Sequence, residues 1–106
     1  MRIGVPKEIK NHEYRVGLTP ASVAELSAAG HQVFIQTQAG MGIDFSDADY
    51  VEAGANIVAT AADTFANADM IVKVKEPQPQ EIAMLEARHT LFTYLTLPPI
   101  PNKPKA

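Results

Sequence analysis

Two cations stand where an α/β protein could put them to chemical use. Residues 1–20, MRIGVPKEIKNHEYRVGLTP, begin as an apolar strand and run into a charged loop, with Arg15 near its end, just before a strong helix start. Lys75 lies at the carboxyl end of a second apolar run, MIVKVKEP, where Glu76-Pro77 follows. A guanidinium offers a fixed fork of donors that matches a carboxylate, and an ammonium can polarise a neighbouring carbonyl on which charge develops during reduction or imine formation. Together the two residues have the chemistry of a 2-oxo acid site. Open α/β sheets place ligands just outside the carboxyl ends of their strands, which is where both would stand. The alternative is a pair of solvated strand-end cations matched with Glu8, Glu13 or Glu76, and spacing alone leaves the choice open. Within MIVKVKEP, the two-residue period of a strand puts Lys73 and Lys75 on one face and Val72 and Val74 on the other.

Other groups carry less. Gly40-Met41-Gly42 follows a strand as G-x-G-x-x-F, with Phe45 in place of the third glycine of a dinucleotide loop, so a turn is the favoured reading. His12, His31 and His89 lack metal-ligand spacing, and Asp44, Asp47 and Asp49 surround a helix start, where the dipole favours carboxylates. No metal site is expected. Tyr94 reads as a packed strand tyrosine with one hydrogen bond. The chain has no cysteine, which removes thiolate nucleophiles, disulfides and cysteine-based zinc sites together.

The elements that must position these residues alternate between strand and helix. Arg2 to Val5 reads as a strand. Thr19-Pro20 opens a helix closed by Gly30, with Thr as N-cap and Pro at the first helical position. Gln32 to Thr37 is a second strand. Ser46 with Asp49 caps a short helix ended by Gly54, and Ile57 to Ala59 follows as a third strand. Thr60 with Asp63 repeats the cap, Met70 to Val74 is a fourth strand, Pro79 starts a helix carrying Ile82 and Leu85, and Thr90 to Leu95 is a fifth. Regular alternation predicts an open, mainly parallel five-stranded sheet with helices on both faces, flavodoxin-like or Rossmann-like. From Pro98 the chain reads PPIPNKPKA, four prolines in nine residues, and is expected to be an extended or disordered tail. A sheet that stops on a bare fifth strand leaves an edge, so the domain is expected to be incomplete and to be covered by another segment or by a second copy.

Composition agrees with a globular domain. The 106 residues are 46% hydrophobic and 20% charged with net charge -3, which leaves no basic field for nucleic acid. No apolar run approaches the roughly 20 residues of a membrane helix, and Met1-Arg2 leads into a strand rather than a signal peptide, so a cytoplasmic location is expected.

The stretches IGVPKEIKNHEYRVGLTP, GMGIDFSDADYVEAGA, ADMIVKVKEP and LFTYL closely resemble the N-terminal substrate domain of alanine dehydrogenase, in the family shared with the transhydrogenase alpha subunit. The likeness runs from Met1 to about Leu97, which sets a domain at 1–97 and a tail at 98–106. KVKEP and FTYL resemble the dehydrogenase motifs, whereas the transhydrogenase usually has asparagine in place of Lys75. The resemblance implies that Arg15 binds the carboxylate of pyruvate or L-alanine, and that Lys75 hydrogen-bonds the carbonyl or imine. It further implies a reversible, NAD-dependent oxidative deamination with a histidine as general acid/base, at the position held here by Thr96 in TYLTLPP. A hydroxyl cannot shuttle protons near neutral pH as imidazole does, and His89 lies at the other end of the same strand, roughly 20 Å away at about 3.3 Å per residue. No catalytic or cofactor-binding residue is therefore assigned in these 106 residues, the family's nucleotide-binding domain being encoded after this region, and the chain alone is expected to be inactive. The competing expectations are a stand-alone, non-catalytic interaction module or truncated relic, and the N-terminal domain of a transhydrogenase alpha subunit.

Overall fold

Short β-branched runs separated by capped helices fold here into a single parallel sheet. A computed structural model describes residues 1–9, 16–75 and 77–93. Its elements are β1 (Arg2–Val5), α1 (Pro20–Ala28), β2 (Gln32–Gln36), α2 (Asp47–Ala53), β3 (Asn56–Val58), α3 (Ala61–Asn67), β4 (Met70–Lys73), α4 (Pro79–Ile82) and β5 (Thr90–Thr93). All neighbouring strands pair in parallel, in the order β3-β2-β1-β4-β5. This is the Rossmann-type order, with β1 central, rather than the flavodoxin-type one. Among the described residues no helix is long and apolar enough to cross a membrane.

The local signals work as the residues require. Thr19 accepts a hydrogen bond from the Ser22 amide, with Pro20 in the first turn. At the other end of α1, Gly30 N–H donates to Ser27 O and His31 N–H to Leu26 O, which closes the helix. Ser46 and Asp49 form a reciprocal capping box on α2, and Thr60 caps α3. Gly40-Met41-Gly42 is a turn entering one 3-10 turn at Met41–Ile43.

Adjacent residues of a strand point to opposite faces, and the core divides accordingly. Ile3, Val5, Val33, Ile35 and Val72 pack with Val16, Val23 and Tyr50 on one face. Ile71 packs with Phe65 and Ala68 on the other, with Met84 and Leu85 against them. Gly4 lies on this second face of β1. A Cβ there would sit 2.7 Å from Ala68 Cβ and 3.0 Å from Thr64 O, so only hydrogen lets α3 lie this close to the sheet. Arg88 donates to the carbonyls of Phe65, Ala66 and Ala68, completing the end of α3.

Three expectations need correction. The helix begun by Pro79 is a single turn whose Ile82 is exposed, while Glu81 points inward and is fully buried. Lys73 does not share a solvated face with Lys75: β4 ends at Lys73, Ile71 to Val74 are all buried, and Lys75 stands beyond the strand. The central strand is covered on both sides, so alternation there does not separate core from solvent. The third strand runs one residue earlier than expected, from Asn56. The fifth strand is described to Thr93. Tyr94, Thr96 and the 98–106 tail lie outside the described residues.

Tyr50 gives this core a measurable pH signature. Its ring is fully buried and its hydroxyl donates to Leu18 O at 2.8 Å. Burial, reinforced by Asp49, pushes its pKa from 10.0 up to about 12. The folded state therefore holds this proton more tightly than the unfolded chain. The resulting stabilisation is complete below about pH 10 and is lost as pH rises towards 12, on the order of 2 kcal/mol in all. Denaturant unfolding of Tyr50→Phe against the parent chain should show a gap at pH 7 of about 1 kcal/mol that closes and then reverses between pH 10 and 12. Parallel pH curves would refute the assignment.

Candidate functional site

The strand order creates one topological switch point. From β1 the chain crosses to β2 on one side, and β4 returns on the other; at such a switch point the loops after neighbouring strands diverge, which is where open α/β sheets form their ligand crevice. Residues Pro6 to Ile9 leave β1 at this edge, and Val74-Lys75 leave β4 there. Lys75 is partly buried, and its amide donates to Glu8 Oε1 at 3.3 Å.

Beneath the crevice lies a buried ion cluster. Lys73 Nζ is 3.1 Å from Glu8 Oε1 and 3.1 Å from Glu81 Oε2, and the three side chains are only 1%, 2% and 0% exposed. Glu8 also accepts from the Val74 amide at 3.0 Å. The Oε1 of Glu81 accepts from the Gln78 amide at 2.8 Å, which caps α4. Its Oε2 has no hydrogen bond of good geometry among the described residues, so the ammonium holds it by charge alone. A lysine can occupy the end of a buried strand only if its charge is matched in place, and the two glutamates do this from opposite ends of the sequence.

The segment that returns from residues 10–15 is held against the same edge. Val16 is buried in the core, and Gly17 packs directly on β4: a Cβ on it would lie 2.5 Å from Val72 O and 3.0 Å from Val72 C. On the outgoing side, the Lys7 amide donates to Gln36 Oε1 at 2.8 Å, and Glu8 is locked to Lys73, Val74 and Lys75. Arg15 itself lies outside the described residues, as do Glu13 and Glu76. The described chain on both sides of the segment is thus anchored at the end of β4.

Sequence reasoning missed the cluster, treating Glu8 as a surface partner and giving Glu81 no part. Two signals could have exposed it. A lysine inside an otherwise apolar central strand must be paired, and Gln78 with Glu81 behind Pro79 is a capping pattern that turns Glu81 towards the sheet. The His89 ring is held between two backbone groups, with the Glu86 amide donating to its Nδ1 and its Nε2 2.8 Å from Phe65 O. Among the described residues no group of three side chains is placed to hold a metal.

Nor do the described residues fit a dinucleotide. β1 is followed by Pro6-Lys7-Glu8 rather than a glycine loop, and Gly40 is packed against the Tyr50 ring instead of facing an open cradle. An open cleft of about 480 Å³ bordered by Pro20, Ala21 and Phe45 also carries Asp44, Asp49 and Glu52, the wrong charge for an acid substrate.

Strand order and register define a doubly wound α/β domain. The chain belongs to the family described as alanine dehydrogenase/PNT, N-terminal domain, whose model matches residues 4–106. It is 57% identical to the alanine dehydrogenase of Halomonas elongata over 97 residues, 92% of this chain and 26% of that protein. Against the alanine dehydrogenase of Methanococcus maripaludis it is 52% identical over 106 residues, 100% of this chain and 28% of that one, so the match runs past Leu97. A solved L-alanine dehydrogenase superposes with a TM-score of 0.87 at 57% identity, over 91% of this chain and 26% of its own. The transhydrogenase from Sinorhizobium meliloti does so with 0.83 at 33% identity, over 90% and 27%. The chain spans about a quarter of the length of the curated relatives it matches.

Proposed function

We propose that this chain is the acid-binding domain of an NAD-dependent alanine dehydrogenase, in which Arg15 takes the carboxylate of pyruvate or L-alanine and Lys75 hydrogen-bonds the carbonyl or imine. The observation that carries this reading is the anchoring of both flanks of the 10–15 segment, through Glu8 and through Val16-Gly17, to the strand end that bears Lys75. The higher identity to the dehydrogenases than to the transhydrogenase supports the first assignment within the family. The lysine at position 75 supports it too. With Thr96 where the family carries its histidine, and with no dinucleotide cradle among the described residues, the 106 residues bind the acid without turning it over.

Titration of the isotope-labelled chain with pyruvate tests this directly. Amide shifts should be confined to residues 7–18 and 72–75. Arg15→Ala and Lys75→Ala should each weaken binding roughly 10- to 100-fold, the worth of a charge-assisted hydrogen bond. Shifts elsewhere, or variants that bind like the parent, would sink the assignment. Oxidation of NADH with pyruvate and ammonium by the pure chain would separately refute its inactivity.

One observation favours a second reading, an interaction module. β5 is an edge strand with Leu91 and Phe92 exposed on its two faces. Absence of pyruvate binding together with a stable dimer would select it.

A further inference from the structure

We infer that Glu8 is a positioning residue for the acid site, fixing the direction in which Lys75 leaves β4. This deepens the proposed function and rests on it. The two glutamates that neutralise Lys73 stand at the same distance, each 3.1 Å from its ammonium. Their remaining contacts differ. Glu81 uses its other oxygen to cap α4 through the Gln78 amide. Among the described residues, the remaining side-chain contacts of Glu8 fall on the segment that carries Lys75, the Val74 amide at 3.0 Å and the Lys75 amide at 3.3 Å.

One carboxylate thus holds two successive peptide planes just past the last ladder residue of β4, where a strand end would otherwise fray. Lys73 in turn holds the carboxylate. Because Glu8 also belongs to the loop leaving β1, the same contact joins the two strand ends that flank the crevice. A site that must register a carbonyl within a fraction of an ångström needs such support behind a long, flexible lysine.

The test uses the isotope-labelled 106-residue chain and its Glu8→Gln, Glu8→Asp, Glu81→Gln and Lys75→Ala variants, with sodium pyruvate as probe. Hydrogen exchange is read at the Val74 and Lys75 amides alongside the dissociation constant. Glu8→Gln should weaken pyruvate about tenfold and unprotect both amides. Glu81→Gln, which removes the same charge from Lys73, should change affinity less than about twofold and leave both amides protected. Glu8→Asp keeps the charge that Lys73 needs for folding and shortens the reach by one methylene, so its affinity should fall between the two. Equal losses in Glu8→Gln and Glu81→Gln would reduce Glu8 to a structural counter-charge. Parent-like binding in Glu8→Gln, while Lys75→Ala abolishes it, would overturn the positioning role and leave the substrate reading intact. No binding by the parent chain, or full binding by Lys75→Ala, would overturn both.

Discussion

Lys73→Met should remove about 3–5 kcal/mol of stability, a large part of what a domain of this size has. The side chain is only 1% exposed and lies 3.1 Å from each of two buried carboxylates, so its loss leaves two negative charges in the interior with no counter-ion among the described residues. Methionine has similar length and packs well, which isolates the charge from the cavity. Urea unfolding should show the midpoint falling with little change in slope. The triple variant Glu8→Gln, Lys73→Met, Glu81→Gln should recover most of the loss, because no uncompensated charge remains. A single-variant loss below about 1 kcal/mol, the range of a surface ion pair, would show that water reaches the cluster. The triple variant also separates stability from binding: it should fold, yet bind pyruvate poorly, since the carboxylate that takes the Val74 and Lys75 amides is gone.

Gly17→Ala should cost about 2–3 kcal/mol, a large effect for one methyl group. Both atoms it would strike, Val72 O and Val72 C at 2.5 and 3.0 Å, belong to the backbone of a buried central strand and cannot swing aside. The segment after Arg15 must therefore lift off β4. Pyruvate affinity should fall with stability, because that segment leads directly from the proposed carboxylate clamp. Gly30→Ala supplies the comparison. Gly30 has φ +96° but open space around it, so alanine should cost about 1 kcal/mol and leave pyruvate binding unchanged. Equal effects at the two glycines, or a Gly17→Ala chain within about 0.5 kcal/mol of the parent, would contradict the close contact with Val72.

Most of the fold was legible because its signals are local. Thr19-Pro20, the Ser46 and Asp49 pair, Gly54 and Thr60 each specify a helix end within four or five residues, and they act as read. The inward side of α4 was not legible, because a one-turn helix has too few residues for its period to show it. The tertiary partner decided, and Lys73 drew Glu81 in ahead of the isoleucine. The candidate site was legible in part. The type and strand-end position of Lys75 pointed to acid chemistry, and the family motifs to pyruvate or alanine. That the flanks of the Arg15 segment rest on the same strand end was not readable from spacing.

By itself, the sequence determined the element order, the starts of the first three helices, the parallel α/β class and the family. Each follows from short-range capping chemistry, from β-branched runs or from the motifs that resemble alanine dehydrogenase. Only the tertiary structure decided that β1 lies between β2 and β4, because crossover connections allow a following strand to be laid on either edge of the sheet. That choice brings Glu8 to Lys73, 65 residues away, and converts a surface-looking glutamate and a strand lysine into one buried cluster beneath the crevice. The pairing of buried charges is enforced by desolvation, which acts on neighbours in space whatever their separation along the chain.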